Sequence, residues 1–230
     1  MKYGIIFAMD EELVGLKKFL KLEREYSIFD LHFYEGTIYD KYCILVRCGV
    51  GKVNAARTTQ LLIDNFKVDY ILNIGVAGGI DERLSVGDIV IGETLVQHDF
   101  DITAFNHEKG YIPEVGKPFI EADEYLIRCA KDSFEEINAN VFVGVIASGD
   151  IFCTDTNMSL KINKKFNALC TEMEGASIAQ VCFLCNIPFL IIRSISDVVN
   201  NENTTTYEEF LKESSKVVGE ATSLLLKNLK

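Results

Sequence analysis

Short apolar runs alternate with helix-length segments along this chain, and that alternation restricts the fold more than any other feature. Strand-like runs occupy residues 3–8, 31–39, 42–48, 69–75, 88–97, 141–147, 168–172 and 188–195. Between them lie segments of helical period: Leu13, Leu16 and Leu20 after the first run, then residues 52–66, 122–137, 174–186 and 207–229. In the 52–66 segment, Val53, Ala56, Leu61 and Leu62 read as the apolar face. Residues 31–39 and 42–48 are joined by Asp40-Lys41 and read as a hairpin. Strands that are apolar along their whole length need cover on both faces, which helices supply. The pattern predicts a single α/β domain over residues 1–230, with a mixed, largely parallel central sheet flanked by helices.

Composition narrows the partners. At 230 residues and 48% hydrophobic content the chain can bury a sizeable core. Its formal net charge of −11, with no basic stripe, argues against nucleic acid and anionic membrane surfaces. The longest apolar runs, such as 187–192, fall far short of the roughly 20 residues that cross a bilayer, and no secretory leader opens the sequence, so a cytoplasmic location is expected. Seven cysteines sit mostly in apolar segments, as small hydrophobes of a reducing compartment do. Cys182 and Cys185 form a C-x-x-C without a second pair, so no metal site is expected.

Residues 98–119, HDFDITAFNHEKGYIPEVGKPF, break the rhythm. A loop of that length is usually functional, and its aromatics Phe100, Phe105, Tyr111 and Phe119 suit either contact with a ligand or second subunit, or packing within the loop itself. His98 and Asp99 are adjacent in an extended segment and point to opposite faces, which disfavours a shared metal.

In open α/β sheets ligands bind beyond the carboxyl ends of strands. Here those ends are acidic: Met9 to Glu12, Ser148-Gly149-Asp150, Glu172 and Glu174, and Arg193-Ser194-Ile195-Ser196-Asp197. Glycine-rich turns are expected at 49–51 and 75–79. The first is not a P-loop, because position 46 is Val and Lys52 is followed by Val53. None of the three histidines stands at a strand end beside Ser or Cys, so a nucleophilic triad is poorly supported. Carboxylates in one partly dehydrated pocket remain, and they suit cleavage of a glycosidic bond through a cationic transition state.

The phrases GIIFAMDEEL (4–13), CGVGKVNAA (48–56), NIGVAGG (73–79), VGDIVIG (86–92), DITAF (101–105), SGDIF (148–152), TEMEGASIA (171–179) and RSISD (193–197) together resemble the 5′-methylthioadenosine/S-adenosylhomocysteine nucleosidases of the nucleoside phosphorylase superfamily. The resemblance spans nearly the whole chain and keeps the family's motif order. It implies a nucleoside phosphorylase-like fold, hydrolysis of adenosine thioethers with water as co-substrate and no cofactor, and a homodimer. By the same resemblance Asp197 is the acid that protonates adenine N7, and Glu12 the base that activates water. Glu174 holds the ribose hydroxyls, with Met173 against the sugar and Arg193 supporting that end. Phe152 stacks on adenine and the Cys153 backbone reads its edge, while Val76 and Ser196 line the site. Met9, Val50 and Tyr207 face the 5′ substituent, which Phe105 and Pro113 of a neighbouring subunit cover.

The sequence departs from the family pattern at Val76, where many members carry Ser, and at Ile74, where Thr is common. Cys153 replaces a branched aliphatic and Tyr207 a frequent Phe. Three alternatives stand beside the hydrolase: a phosphorylase, a futalosine-type hydrolase, and a non-catalytic nucleoside-binding protein. The role of Glu172 stays open.

Overall fold

The computed structural model describes residues 1–198 and 207–230, without the side chains of residues 207–210 and 212. The chain runs β1 (Lys2–Phe7), α1 (Asp10–Lys17), β2 (Lys21–Ile28), β3 (Leu31–Ile38), β4 (Lys41–Arg47), α2 (Lys52–Leu61), β5 (Tyr70–Gly79), β6 (Ile89–Gln97), β7 (Phe119–Glu121), α3 (Glu124–Glu135), β8 (Val141–Ser148), α4 (Thr156–Phe166), β9 (Ala168–Glu172), α5 (Gly175–Cys185), β10 (Phe189–Val198) and α6 (Tyr207–Asn228). It is an α/β fold on one mixed sheet, ordered β10-β6-β8-β9-β5-β1-β4-β3-β2, with β7 added to β6. Because β10 pairs with β5 as well as with β6, strands β5, β9, β8, β6 and β10 close into a ring. Closure leaves those strands without free edges.

The core follows the apolar runs. Ile5, Ile6 and Phe7 of β1, Ile44, Leu45 and Val46 of β4, and Leu190, Ile191 and Ile192 of β10 are fully buried. Burying a side chain of this size is worth about 1.5–3 kcal/mol. Helix α1 is seated on α6 by two glycines. A Cβ at Gly219 would lie 2.5 Å from the Gly15 carbonyl carbon, so the helices meet backbone to backbone.

Several elements differ from expectation. Strand β2 is an edge strand whose residues are nearly all exposed, so its sequence KLEREYSI carries no period-two burial pattern. The charged residues instead blunt the sheet edge. Helix α4, capped by the Asp155 carboxylate accepting from Asn157 N at 2.8 Å, and the short β7 were not foreseen either. In α2 the buried face is Ala55, Thr58 and Thr59, continued by Leu62 in a π-helical turn over Leu62–Phe66, whereas Val53 is 78% exposed. Thr59 can lie inside because its hydroxyl donates to the Ala55 carbonyl at 2.8 Å.

The segment 75–79 is not a turn. It continues β5, pairing Gly78 with Thr171 of β9 and with Asp197 of β10. The pairings Gln97–Ser148, Ser148–Glu172, Thr171–Gly78 and Gly78–Asp197 bring the carboxyl ends of β6, β8, β9, β5 and β10 to one place.

Candidate active site

At that convergence lies a cavity of about 410 Å³. Its walls include Met9, Glu12, Val50, Val76, Phe152, Cys153, Met173, Glu174, Ser196 and Asp197, together with Thr171 and Glu172. Six separate stretches of sequence thus meet around one space large enough for a small ligand.

Glu12 stands on the first turn of α1 and is 2% exposed. One carboxylate oxygen accepts from Ala8 N at 2.8 Å and Met9 N at 3.0 Å, and the other accepts from Val76 N at 3.0 Å. The close fit explains a glycine in the adjoining strand, because a Cβ at Gly75 would lie 2.5 Å from Glu12 Oε1. Val76, the departure from the family's Ser, therefore serves Glu12 through its backbone N–H. Burial raises the Glu12 pKa above the usual carboxylate range, against the opposing charge of Arg193 and these N–H donors.

Glu174 caps the N-terminus of α5 and accepts from Gly51 N at 2.7 Å. Burial, and then the neighbouring charge of Glu172, push its pKa up to about 8. Glu172 has a different setting. It forms a buried ion pair with Arg193, accepts from Ser148 Oγ, and takes Glu174 N at 3.0 Å and Gly175 N at 2.8 Å. Burial alone would raise its pKa, but Arg193, Ser148 and Gly175 N–H hold it below the usual range. Arg193, 1% exposed, lies behind the cavity wall and also donates to Asn73. The expected support of Glu174 by Arg193 is thus a bond to Glu172, whose backbone-bound carboxylate stiffens the start of α5.

Asp197 is aimed by a bulge. The pairing of β10 with β5 slips between Ile195 and Asp197, leaving Ser196 as the extra residue. The Ser196 hydroxyl donates to Asp197 Oδ1 at 2.7 Å, and a Cβ at Gly78 would come within 3.3 Å of Asp197 Oδ2. Asp197 is exposed, in contrast to the three buried glutamates.

Two expected residues stand apart from the cavity of their own chain. Phe105, in a 3-10 turn over Thr103–Phe105, is 75% exposed, and Pro113 is also exposed. Neither lines the cavity of its own chain. Elsewhere in that loop Phe100 packs against the core, and Tyr111 stacks on His107 with ring centroids 4.2 Å apart. Tyr207 opens α6, and its side chain lies outside the described residues. Thr171 and Ile151 of the lining and the anchoring Asn73 were not singled out from the sequence, although each lies within one of the recurring phrases, at 171–179, 148–152 and 73–79.

The carboxylates give the fold a pH signature. Between about pH 4.5, the ordinary glutamate value, and about 8, folded Glu174 holds a proton that the unfolded chain has released. Stability therefore falls as pH rises through that window, by up to about 1.4 kcal/mol per pH unit for one group. Glu12 acts in the same direction. Glu172, lowered instead, contributes stability that is lost only as pH falls below the ordinary value. The melting temperature of the ligand-free protein is expected to drop between about pH 5.5 and 8, and Glu174→Gln to flatten that drop. A slope unchanged by the substitution would contradict this assignment.

The phosphorylase superfamily model matches residues 2–230. A 5′-methylthioadenosine/S-adenosylhomocysteine nucleosidase of Bacillus pumilus is 40% identical over 232 residues, covering 100% of this chain and 99% of its own. The Helicobacter pylori nucleosidase of that name, solved with butyl-thio-DADMe-Immucillin-A, superposes with a TM-score of 0.94 at 33% identity, covering 100% of this chain and 99% of that one. A futalosine hydrolase of Helicobacter pylori gives the same TM-score at 34% identity, with 100% and 98% covered. With its cavity lined from strand ends across the whole length of the match, the chain belongs to the phosphorylase superfamily and, within it, to the 5′-methylthioadenosine/S-adenosylhomocysteine nucleosidases.

Proposed function

We propose that this protein hydrolyses the N-glycosidic bond of 5′-methylthioadenosine and S-adenosylhomocysteine, releasing adenine and the 5-thioribose product, in methionine salvage and removal of methyl-cycle by-products. The observation that carries the reading is three carboxyl groups in differing environments on one cavity: Glu12 and Glu174 buried, Asp197 exposed. Carboxyl groups kept apart in environment can take separate acid and base roles.

In this reading Asp197 gives a proton to adenine N7, so the base leaves as a neutral molecule while positive charge grows on the ribose. Glu12 takes a proton from water as its oxygen bonds to C1′. Burial has raised the proton affinity of Glu12, which suits a base working near neutral pH. Glu174 binds the ribose hydroxyls, Met173 packs on the sugar, and Phe152 stacks on adenine with the Cys153 backbone at its edge. Val76 and Ser196 complete the walls. Met9, Val50 and Tyr207 take the 5′ group.

Water is the better acceptor than phosphate on electrostatic grounds. Among the described residues the cavity lining contains no lysine or arginine, so a phosphate dianion would find no counter-charge there. The exposure of Phe105 supports a homodimer in which Phe105 and Pro113 cover the neighbour's 5′ pocket. Among the described residues no helix is long and apolar enough to cross a membrane, and a cytoplasmic location fits the proposed substrates.

The test is to incubate the protein with methylthioadenosine, adenosylhomocysteine, adenosine and inosine, with and without phosphate, and to follow free base. Adenine from the first two at a rate indifferent to phosphate is expected. Phosphate-dependent release with a pentose 1-phosphate product would replace the reading by a phosphorylase. The futalosine hydrolase likeness makes futalosine-type nucleosides the second substrate class to assay.

A further inference from the structure

The sugar side of the cavity is built on the tight turn before α2. Val50 lines the wall and Gly51 N–H donates to Glu174, yet Gly51 has φ 100° and α2 has no side-chain cap at its N-terminus. A ring of contacts outside the cavity fixes this turn. Lys52 N donates to Asp150 Oδ1 at 2.8 Å, Asp150 N donates to Asp99 Oδ2 at 2.9 Å, and Lys52 Nζ closes the circuit on Asp99 Oδ1 at 2.6 Å. The same ammonium donates to Gln97 Oε1 at 3.1 Å, and the Gln97 amide donates to Gln180 Oε1 at 2.6 Å on α5, the helix that Glu174 caps.

The Lys52 and Asp99 side chains are 17% and 18% exposed, so the pair is mostly withdrawn from water. Such a pair is costly to break from one side, because the remaining charge is left without its partner. Neither residue lines the cavity, and neither has a part in the proposed chemistry.

We propose that Lys52 and Asp99 are positioning residues for sugar recognition, whose ion pair holds the Gly51 N–H on Glu174 and the Val50 wall against the substrate. This rests on the reading of Glu174 as the ribose ligand. With Gly51 fixed, the Glu174 carboxylate keeps one orientation and its free lone pairs face the ribose hydroxyls. Without the pair, the turn relaxes and ribose binding weakens equally in the ground and transition states, which raises KM and spares kcat.

Steady-state kinetics of Lys52→Met, Lys52→Arg and Glu174→Gln on methylthioadenosine and its 3′-deoxy analogue test this. For Lys52→Met, KM for methylthioadenosine is expected to rise about tenfold with kcat within about threefold of the parent. The penalty should shrink on the 3′-deoxy analogue, and Lys52→Arg should recover most of the KM. If Lys52→Met does not accumulate folded, Asp99→Asn carries the same comparison with little change of shape. An unchanged KM, a loss confined to kcat, or an equal penalty on both substrates overturns the proposal. If Glu174→Gln leaves KM unchanged, the ribose reading itself fails; if it raises KM while Lys52→Met does not, only the positioning role fails.

Discussion

Asp197→Asn is expected to lower kcat/KM for methylthioadenosine by about 10²–10⁴-fold, the range for a lost general acid, with little change in melting temperature. The two halves of this expectation have separate causes. Asparagine keeps the shape of aspartate but has no acidic proton to give N7, so adenine must leave as an anion. The fold, by contrast, hardly uses the carboxylate. Asp197 is exposed, and its hydrogen bond from the Ser196 hydroxyl can be kept by the amide oxygen. Exposed substitutions of this kind usually stay within about 0.5 kcal/mol.

The matching change at Glu12 is less clean. Its two oxygens accept three backbone N–H groups, and the amide nitrogen of glutamine would confront at least one of those donors. A folded but inactive Asp197→Asn protein is therefore the sharper test. Retention of most of the hydrolytic rate would remove Asp197 from the acid's role.

The legible part of the fold was the buried part. The runs 5–7 in β1, 43–46 in β4 and 189–192 in β10 are apolar at every position because both faces are covered, and their sequence says so directly. Strand β2 has little buried surface to encode, so nothing in KLEREYSI separates it from a loop. The glycines of 75–79 misled for another reason. Glycine is depleted in strands, and here it is required by side chains arriving from elsewhere: Glu12 against Gly75 and Asp197 against Gly78. That requirement is set by contacts across more than 60 residues of chain.

The acids of the site were visible as strand-end residues, but their partners were not. Glu172 and Glu174 both line the cavity, yet only the folded chain brings Arg193, 21 residues away, onto Glu172. Lys52 and Asp99, 47 residues apart, were read separately as a helix start and a poor metal ligand.

Arg193→Met should be the most damaging single substitution for stability, and its damage should depend on pH. Removing one member of a buried ion pair typically costs about 3–5 kcal/mol, and a chain of this size loses roughly 2–4 °C of melting temperature per kcal/mol. The expected fall near pH 8 is thus on the order of 6–20 °C. Methionine fills much of the arginine's volume, so the loss is electrostatic more than a cavity effect. What remains is Glu172, Glu174 and Glu12, all buried, with their shared cation gone. Each carboxylate then prefers its proton, and the folded pKa of Glu172 moves from below the ordinary value to above it. A folded pKa above the unfolded one gives stability present at low pH and lost as pH rises. The deficit relative to the parent should accordingly shrink as the solution is taken from about pH 8 to 5.5, because the protonated acids no longer need Arg193. Thermal unfolding of both proteins across that range measures it. A deficit that is constant with pH would mean that Arg193 contributes chiefly through packing and its bonds to Asn73, and that the three acids are not balanced by its charge.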